Sequence, residues 1–343
     1  MTTLAEYLDR WASGSADRPP IAATVAALAQ AAAELSELVR LGPLAGAMAE
    51  VVAESRDGTG QKALDVRAEE LFEEKLRAAP VAYLASEELD HVLELRPGAP
   101  LAVALDPLDG SANIEQASAM GAIFSILPAG ASGEASFLVP GHRQLAAGSV
   151  LYGSFTAMVL SLGEGVDSFA LDPRTGRFVL AERGLKVAQN RREYAINASN
   201  ARHWTLPVRA FIEECLAGAT GPLAADYNMR WVAAVVADLY RILVKGGIFL
   251  YPGDARKGYE HGRLRLLYEA FPIAFLIEQA GGAATDGYGP ILERAPKALH
   301  ERTPLIFGAR DMVERVSHLH HANVPPAGQR PLFGQRGLFK SGP

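Results

Sequence analysis

The segment Asp106-Pro107-Leu108-Asp109-Gly110-Ser111 gathers the residue types that can bind a metal and a phosphate together. Two carboxylates three residues apart across a tight turn can converge on one cation. Mg²⁺ takes oxygen ligands in octahedral geometry: a few protein carboxylates, with water or substrate phosphate completing the set. Gly110 lets the backbone come close to a ligand. The amides of Gly110 and Ser111, opening the next helical segment, can donate to phosphate oxygens. In isolation the same letters would describe a surface Asp-Pro turn followed by an Asp helix cap. Glu87-Glu88, taken alone, would pass for a solvated face. Together, however, they place four carboxylates between positions 87 and 109. Adjacent carboxylates repel, and a cation is the natural means of holding them together.

These side chains need strands to deliver them. Residues 81–85 read as a short strand that presents Ser86, Glu87 and Glu88 at its end, and residues 101–105 as a buried strand that presents Asp106. Carboxylates at strand ends are the usual placement for a site at the edge of an α/β sheet. Upstream, Ile21, Val25, Leu28, Leu35, Leu38 and Val39 recur at helical spacing. They predict a long helix over 20–54, broken near Gly42-Pro43 and continuing through Met48 and Val52. Residues 56–60 read as a polar loop and 65–78 as a second amphipathic helix. Residues 121–127 and 148–162 are β-rich, and 166–180 read as a hairpin with turn signals at Asp172-Pro173 and Thr175-Gly176. Further on the pattern predicts a strand at 195–198, helices at 206–216 and 231–244, a strand at 248–251, and a buried helix at 265–280 ending at Gly281-Gly282. The fold class is α/β. The expected division is 1–190 and 191–325, with a Pro-, Gly- and base-rich tail at 326–343.

With 343 residues, 49% of them apolar, the chain can build a large core across two domains. Its formal net charge of -6 argues against a nucleic-acid or membrane partner, since both present negative charge. No apolar run reaches the ~18–20 residues that span a bilayer. The first 18 residues lack a basic segment followed by an apolar one, so a secretory signal is not expected. Cys215 stands alone and cannot form an intrachain disulfide, which makes the cytoplasm the default compartment. There is no G-x-x-x-x-G-K-[ST] and no convincing Ser-His-Asp set. His318, His320 and His321 read as a polar helix end rather than a transition-metal site.

The run 106–111 followed by Asn113, with Glu87-Glu88 upstream, resembles the metal-binding signature of the lithium-sensitive, Mg²⁺-dependent sugar phosphatases. Further motifs resemble class I fructose-1,6-bisphosphatase specifically: Gly246-Gly247-Ile248-Phe249-Leu250-Tyr251-Pro252, Leu264-Arg265-Leu266-Leu267-Tyr268-Glu269 and Glu278-Gln279-Ala280-Gly281-Gly282. Gln61-Lys62-Ala63-Leu64-Asp65-Val66 and Leu151-Tyr152-Gly153-Ser154 match that family too, and so does a helix expected from Arg230 onward. The resemblance covers about 20–315. It implies helix and sheet layers in alternation and Mg²⁺-dependent hydrolysis of fructose 1,6-bisphosphate, in gluconeogenesis or the Calvin cycle. Sedoheptulose 1,7-bisphosphate is a second candidate substrate. It implies two or three Mg²⁺ ions per subunit, with Mn²⁺ as a substitute, and a homotetramer or dimer.

Residue by residue, Glu87, Asp106, Asp109 and Glu269 resemble the family's metal carboxylates, and the carbonyl of Leu108 a further ligand. Glu88 and Asp65 resemble the pair that orients and deprotonates the attacking water. Gly110 and Ser111 would hold the scissile 1-phosphate. Asn197, Arg230, Trp231, Tyr251 and Arg263 would form the 6-phosphate pocket, with Arg230 reaching in from a neighbouring subunit. Departures from the family pattern lie in the short loop at Asp57-Gly58-Thr59-Gly60, in Trp231 and Asn200 where tyrosines are common, and in Arg263 where a lysine stands. The AMP ligands of regulated members are not visible near Ala12–Arg18 or before Leu101. Two other readings compete. An inositol or nucleotide monophosphate phosphatase would need no distal pocket. A non-catalytic regulatory protein would be marked by a lost metal ligand.

Overall fold

The computed structural model describes residues 1–46, 50–54 and 60–322. Helix α1 (Leu4–Ala12) is opened by a capping box in which Thr3 and Glu6 satisfy each other's amides. Helix α2 (Arg18–Leu41) begins with Pro19-Pro20 in its first turn, where missing amides cost nothing. It stops at Gly42, whose φ of 52° is left-handed. The expected continuation to residue 54 is therefore wrong. Pro43 cannot donate to the helix ladder, and the β-branched Val51-Val52 pair instead starts strand β1 (Val51–Glu54). Strand β1 pairs antiparallel with β2 (Gly60–Lys62). Met48 and Asp57, and with Asp57 most of the expected 56–60 loop, lie outside the described residues. Helix α2 is long and apolar enough to cross a bilayer, although polar residues interrupt it; over half of its apolar window is buried inside the fold.

Helix α3 (Ala63–Ala78) leads to β3 (Val81–Ser86), β4 (Leu93–Glu94) and β5 (Leu101–Asp109). The sheet continues through β6 (Met120–Pro128), β7 (Ala146–Tyr152), β8 (Thr156–Ser161), β9 (Asp167–Asp172) and β10 (Arg177–Glu182). Its strand order is β10-β9-β8-β7-β6-β5-β3-β4, with only β3 and β5 parallel. Both faces are buried, which is why β5 reads as a continuous apolar run. Leu101, Val103 and Leu105 join α2 and α3 in one core, while Ala102 and Ala104 face the other core, shared with the second half.

That second half runs β11 (Glu193–Ile196), α4 (Leu206–Leu216), β12 (Asn228–Met229), α5 (Val235–Lys245), β13 (Ile248–Tyr251) and β14 (Leu264–Arg265). A π-helical turn at Leu266–Ala270 leads into α6 (Phe271–Gln279), followed by β15 (Ala283–Thr285), β16 (Arg302–Thr303), β17 (Leu305–Gly308) and α7 (Arg310–His321). A five-stranded sheet has the order β12-β11-β13-β17-β15. Helices α5 and α6 pack against both sheets and so lie between them, giving a layered α/β architecture.

Two predicted helices are shorter than expected. Arg230 and Trp231 precede α5 rather than lying on it. Ala233 is left-handed (φ 62°) and Ala234 extended, so the helix cannot start before Val235. The 265–280 helix gives up its first turn to strand and π-helix. Pro272 in the first turn of α6 has no amide to continue an α-ladder back to Tyr268.

Candidate active site

Strand β5 carries both aspartates. In a regular strand, residues three apart point to opposite faces. Here Asp106 is opposite Ile123 and Asp109 opposite Gly121, so three steps on β5 match two on β6. The extra residue is a bulge at Pro107-Leu108, where proline's missing amide costs no ladder bond. It resets the phase and turns both carboxylates to one side. Glu269 reaches the same point from the π-helical turn. Among the described residues, ligand oxygens of Asp106, Asp109 and Glu269 all lie within 4.8 Å of one another. Asp106 and Glu269 are buried.

The electrostatics of this cluster are those of a site built for a cation. Burial above all, then the carboxylates of Glu87, Asp109 and Glu269, pushes Asp106 well above the usual range. Burial, then Glu87 and Asp109, does the same to Glu269. Burial pushes Asp109 up to about 7, against the stabilising amide of Val236 at the start of α5, 3.2 Å from Oδ2. Arg265 offsets part of the repulsion: its Nε lies 3.2 Å from Glu87, and its backbone amide donates to Glu269 at 2.6 Å. The donors are all hard carboxylate oxygens, from two buried acids and one half-buried one, which suits a hard divalent cation and not a soft one.

Glu87 and Glu88 follow the end of β3, as expected, and Glu87 couples electrostatically to all three clustered acids. Leu108 sits buried in the bulge between the aspartates, its amide donating to Asp106 at 3.1 Å. Asp65 is buried in the first turn of α3. Its Oδ2 accepts from the Lys62 amide at 2.9 Å, while Oδ1 has no partner. Burial raises its pKa, opposed first by the Lys62 amide. Lys62 Nζ donates to the Ser111 carbonyl at 3.1 Å, tying α3 to the phosphate-loop candidate. Gly110 is left-handed (φ 79°), and an added Cβ would press on the Ala119 carbonyl at 3.3 Å. Ser111 opens a 3₁₀ turn that Asn113 fastens through bonds to the Gly110 and Ala119 carbonyls.

The distal group falls into two sets. Asn197, Tyr251 and Arg263 line one pocket, together with Asn200, Arg256 and Tyr259. Burial raises the Tyr251 phenol, with smaller opposed contributions from Arg263 and Glu269. Trp231 does not line the pocket but stacks on Tyr251, centroids 6.1 Å apart and rings nearly parallel. Arg230 also stays out of it: the side chain is 58% exposed and its Nε is 3.5 Å from Glu193 of its own chain.

The sequence reading passed over Glu69, Arg256 and Tyr259. Glu69 is buried, accepts from the Ser86 hydroxyl and is pushed up to about 7, mainly by burial. Nothing in its run of charged helix residues signals this. A phenol and a guanidinium between the Tyr251 and Arg263 positions were the available clue to the other two. Cys215 is buried and its thiol pushed up to about 12, so it is not a reactive thiol. His320 and His321 donate through Nδ1 to the carbonyls of Val316 and Ser317 in their own helix.

Comparison with known proteins matches residues 10–183 to the N-terminal domain of fructose-1-6-bisphosphatase and residues 187–321 to its C-terminal domain. The class 1 fructose-1,6-bisphosphatase of Methylorubrum populi is 53% identical over 342 residues, covering 99% of this chain and 98% of the relative. That of Paracoccus denitrificans is 51% identical over 323 residues, 94% and 96% of the two chains. The crystal structure of Leishmania major fructose-1,6-bisphosphatase in holo form superposes with a TM-score of 0.86 at 31% identity. It covers 93% of this chain and 99% of that one. With both halves matched in order and relatives aligned nearly end to end, this chain belongs to the class 1 fructose-1,6-bisphosphatase family.

Proposed function

We propose that the protein is a phosphoric monoester hydrolase that converts D-fructose 1,6-bisphosphate to fructose 6-phosphate and phosphate in the presence of Mg²⁺. The observation that carries this reading is the convergence of Asp106, Asp109 and Glu269 within 4.8 Å, in a chain that also holds a separate basic and phenolic pocket at Tyr251 and Arg263. Sedoheptulose 1,7-bisphosphate has the same two-ended charge and is a second substrate. Monophosphate hydrolysis is disfavoured, because it would leave the distal pocket without a ligand.

Asp106, Asp109 and Glu269, with Glu87 beside them, would hold Mg²⁺, or Mn²⁺ in its place. A divalent cation there neutralises charge on the scissile phosphate and on the leaving oxygen. Asp65 and Glu88 orient the attacking water and take its proton. The unpartnered Oδ1 of Asp65, with a raised pKa, is an acceptor suited to that task. Water attacks phosphorus, the bond from phosphorus to the C1 oxygen breaks, and a proton returns to that oxygen. The amides of Gly110 and Ser111 hold the phosphate, while Asn197, Tyr251 and Arg263 hold the far end of the sugar.

This division of labour supports a first unit, 1–190, for metal and 1-phosphate, and a second, 191–325, for sugar and 6-phosphate, with Glu269 lent back to the first. The exposed Arg230, outside its own chain's pocket, fits a homotetramer or dimer in which it serves a neighbour's pocket. A cytoplasmic enzyme acting on central sugar phosphates is the coherent setting. The test is phosphate release from fructose 1,6-bisphosphate, sedoheptulose 1,7-bisphosphate and inositol 1-phosphate, with Mg²⁺ and with a chelator. Turnover of both bisphosphates that stops with the chelator is expected. Preference for inositol 1-phosphate would overturn the reading.

A further inference from the structure

The pocket that takes Tyr251 and Arg263 has a second basic wall, on the loop between strands β13 and β14. The Arg256 and Arg263 guanidiniums stand 4.4 and 4.9 Å from the centroid of one ring, that of Tyr259. Two cations on one phenol repel each other unless an anion is near. Asp254 supplies one negative charge. It is buried, and Nε of Arg256 donates to both its oxygens at 3.0 Å, with Nη2 also engaged. That arrangement occupies the Nε–Nη2 edge of the fork, and Arg256 also lines the pocket. No carboxylate among the described residues pairs with Arg263. The wall therefore carries two guanidiniums against one carboxylate, a net positive charge that favours an anion with several acceptor oxygens.

The loop is also held in advance of any ligand. The Asp254 amide donates to the Tyr259 carbonyl at 3.0 Å, the Tyr259 amide to the Arg256 carbonyl at 3.0 Å, and the Ala255 amide to the His203 carbonyl at 3.2 Å. A Cβ on Gly253 would meet the Glu260 carbonyl at 2.3 Å, so the backbone closes on itself there. A cation fixed in this way loses little freedom on binding.

We propose that Arg256 and Tyr259 bind the distal phosphate of the substrate. With Arg263 they form a two-guanidinium clamp that selects sugars carrying a dianionic phosphate at the end remote from the scissile bond. Asp254 aims Arg256 and does not touch the ligand. The proposal rests on the bisphosphate reading above.

The test measures fructose 6-phosphate binding to the full chain by titration calorimetry with Mg²⁺ present, and KM for fructose 1,6-bisphosphate alongside. Arg256→Met should weaken fructose 6-phosphate about ten- to a hundredfold, the range for a lost charge-assisted hydrogen bond. KM should rise by a similar factor while kcat stays within about threefold. Tyr259→Phe should weaken binding by a few fold. The double variant Asp254→Asn/Arg256→Met removes the orphaned carboxylate and should remain as weak as the single one. Recovery of affinity in the double variant would mean that Arg256 only neutralises Asp254, and would overturn the proposal. Unchanged affinity in Arg256→Met would do the same. Should Arg256→Met fail to fold, Arg256→Lys keeps the charge without the fork. It should still bind several-fold more weakly, and wild-type affinity there overturns the clamp. If the wild-type chain did not hydrolyse fructose 1,6-bisphosphate at all, the parent reading would fail instead.

Discussion

Asp109→Asn separates the two costs that the carboxylate cluster imposes. The Asn amide oxygen can still accept from the Val236 amide, which lies 3.2 Å from the Asp109 carboxylate, so the shape is kept and the charge removed. In the metal-free chain Asp109 has its pKa raised from 3.8 to about 7, chiefly by burial. An acid whose folded pKa lies above its unfolded one destabilises the fold when ionised. The penalty is absent below the unfolded value, grows between the two, and is complete above about pH 7. At ~1.4 kcal/mol per pH unit that gap corresponds to up to about 4 kcal/mol. Without metal at pH 8, Asp109→Asn should therefore unfold several degrees above wild type, at roughly 2–4 °C per kcal/mol for a chain of this size. Near pH 4 the advantage should vanish. Adding Mg²⁺ should narrow the gap, since a cation at a hundred times its dissociation constant stabilises wild type by about 2.7 kcal/mol. The variant has lost one ligand and should gain much less. Turnover should fall at least ~100-fold. Thermal unfolding with chelator and with Mg²⁺, at pH 4 and pH 8, reads all of this. A variant less stable than wild type without metal at pH 8, or equally stabilised by Mg²⁺, would refute the reasoning. So would near-normal turnover at saturating Mg²⁺.

Two other outcomes follow from the distal side and from absent features. Arg230→Ala should weaken bisphosphate binding by ~1.5–3 kcal/mol, raising KM roughly ten- to a hundredfold and more than it lowers kcat, because a distal phosphate is bound equally in ground and transition states. An unchanged KM, read from initial rates, would argue for a monophosphate substrate. Activity should change little with millimolar AMP or a dithiol reductant. The thiol of Cys215 is buried and its pKa is pushed up to about 12, and an effector needs differential contacts to shift an equilibrium. Cooperative inhibition at micromolar AMP, titrated at sub-saturating substrate, would show a site built from other residues.

The sequence made the chemistry legible before it made the geometry legible. Asp106, Asp109 and Glu87-Glu88 could be picked out by type and spacing, because few uses other than a cation tolerate so many acids so close. What brings the two aspartates to one side is the extra residue at Pro107-Leu108, and a bulge is a property of the pairing with β6, not of either strand alone. Gly121, opposite Asp109, has no room for a Cβ: the Val150 carbonyl would be 2.1 Å away and Val236 under 3 Å. That crowding brings the α5 amides within reach of Asp109, and the single letter Gly does not say so. The 231–244 helix was misplaced for a related reason. Apolar residues at helical spacing extend back to Trp231, and an alanine carries no mark that its φ will be 62°. Tertiary pairing of Asn228–Met229 with β11 decided that stretch. Pro272, by contrast, was a readable signal that an α-helix could not run unbroken from Arg265, and the π-helical turn it leaves is what carries Glu269 into the cluster. Glu69 lay beyond sequence reasoning, and Arg256 and Tyr259 offered only their types and their place between Tyr251 and Arg263, because the meaning of all three is relational. A charged residue on a charged helix or loop becomes a site residue only when the fold buries it against a hydroxyl, or stacks it on a ring beside a second guanidinium.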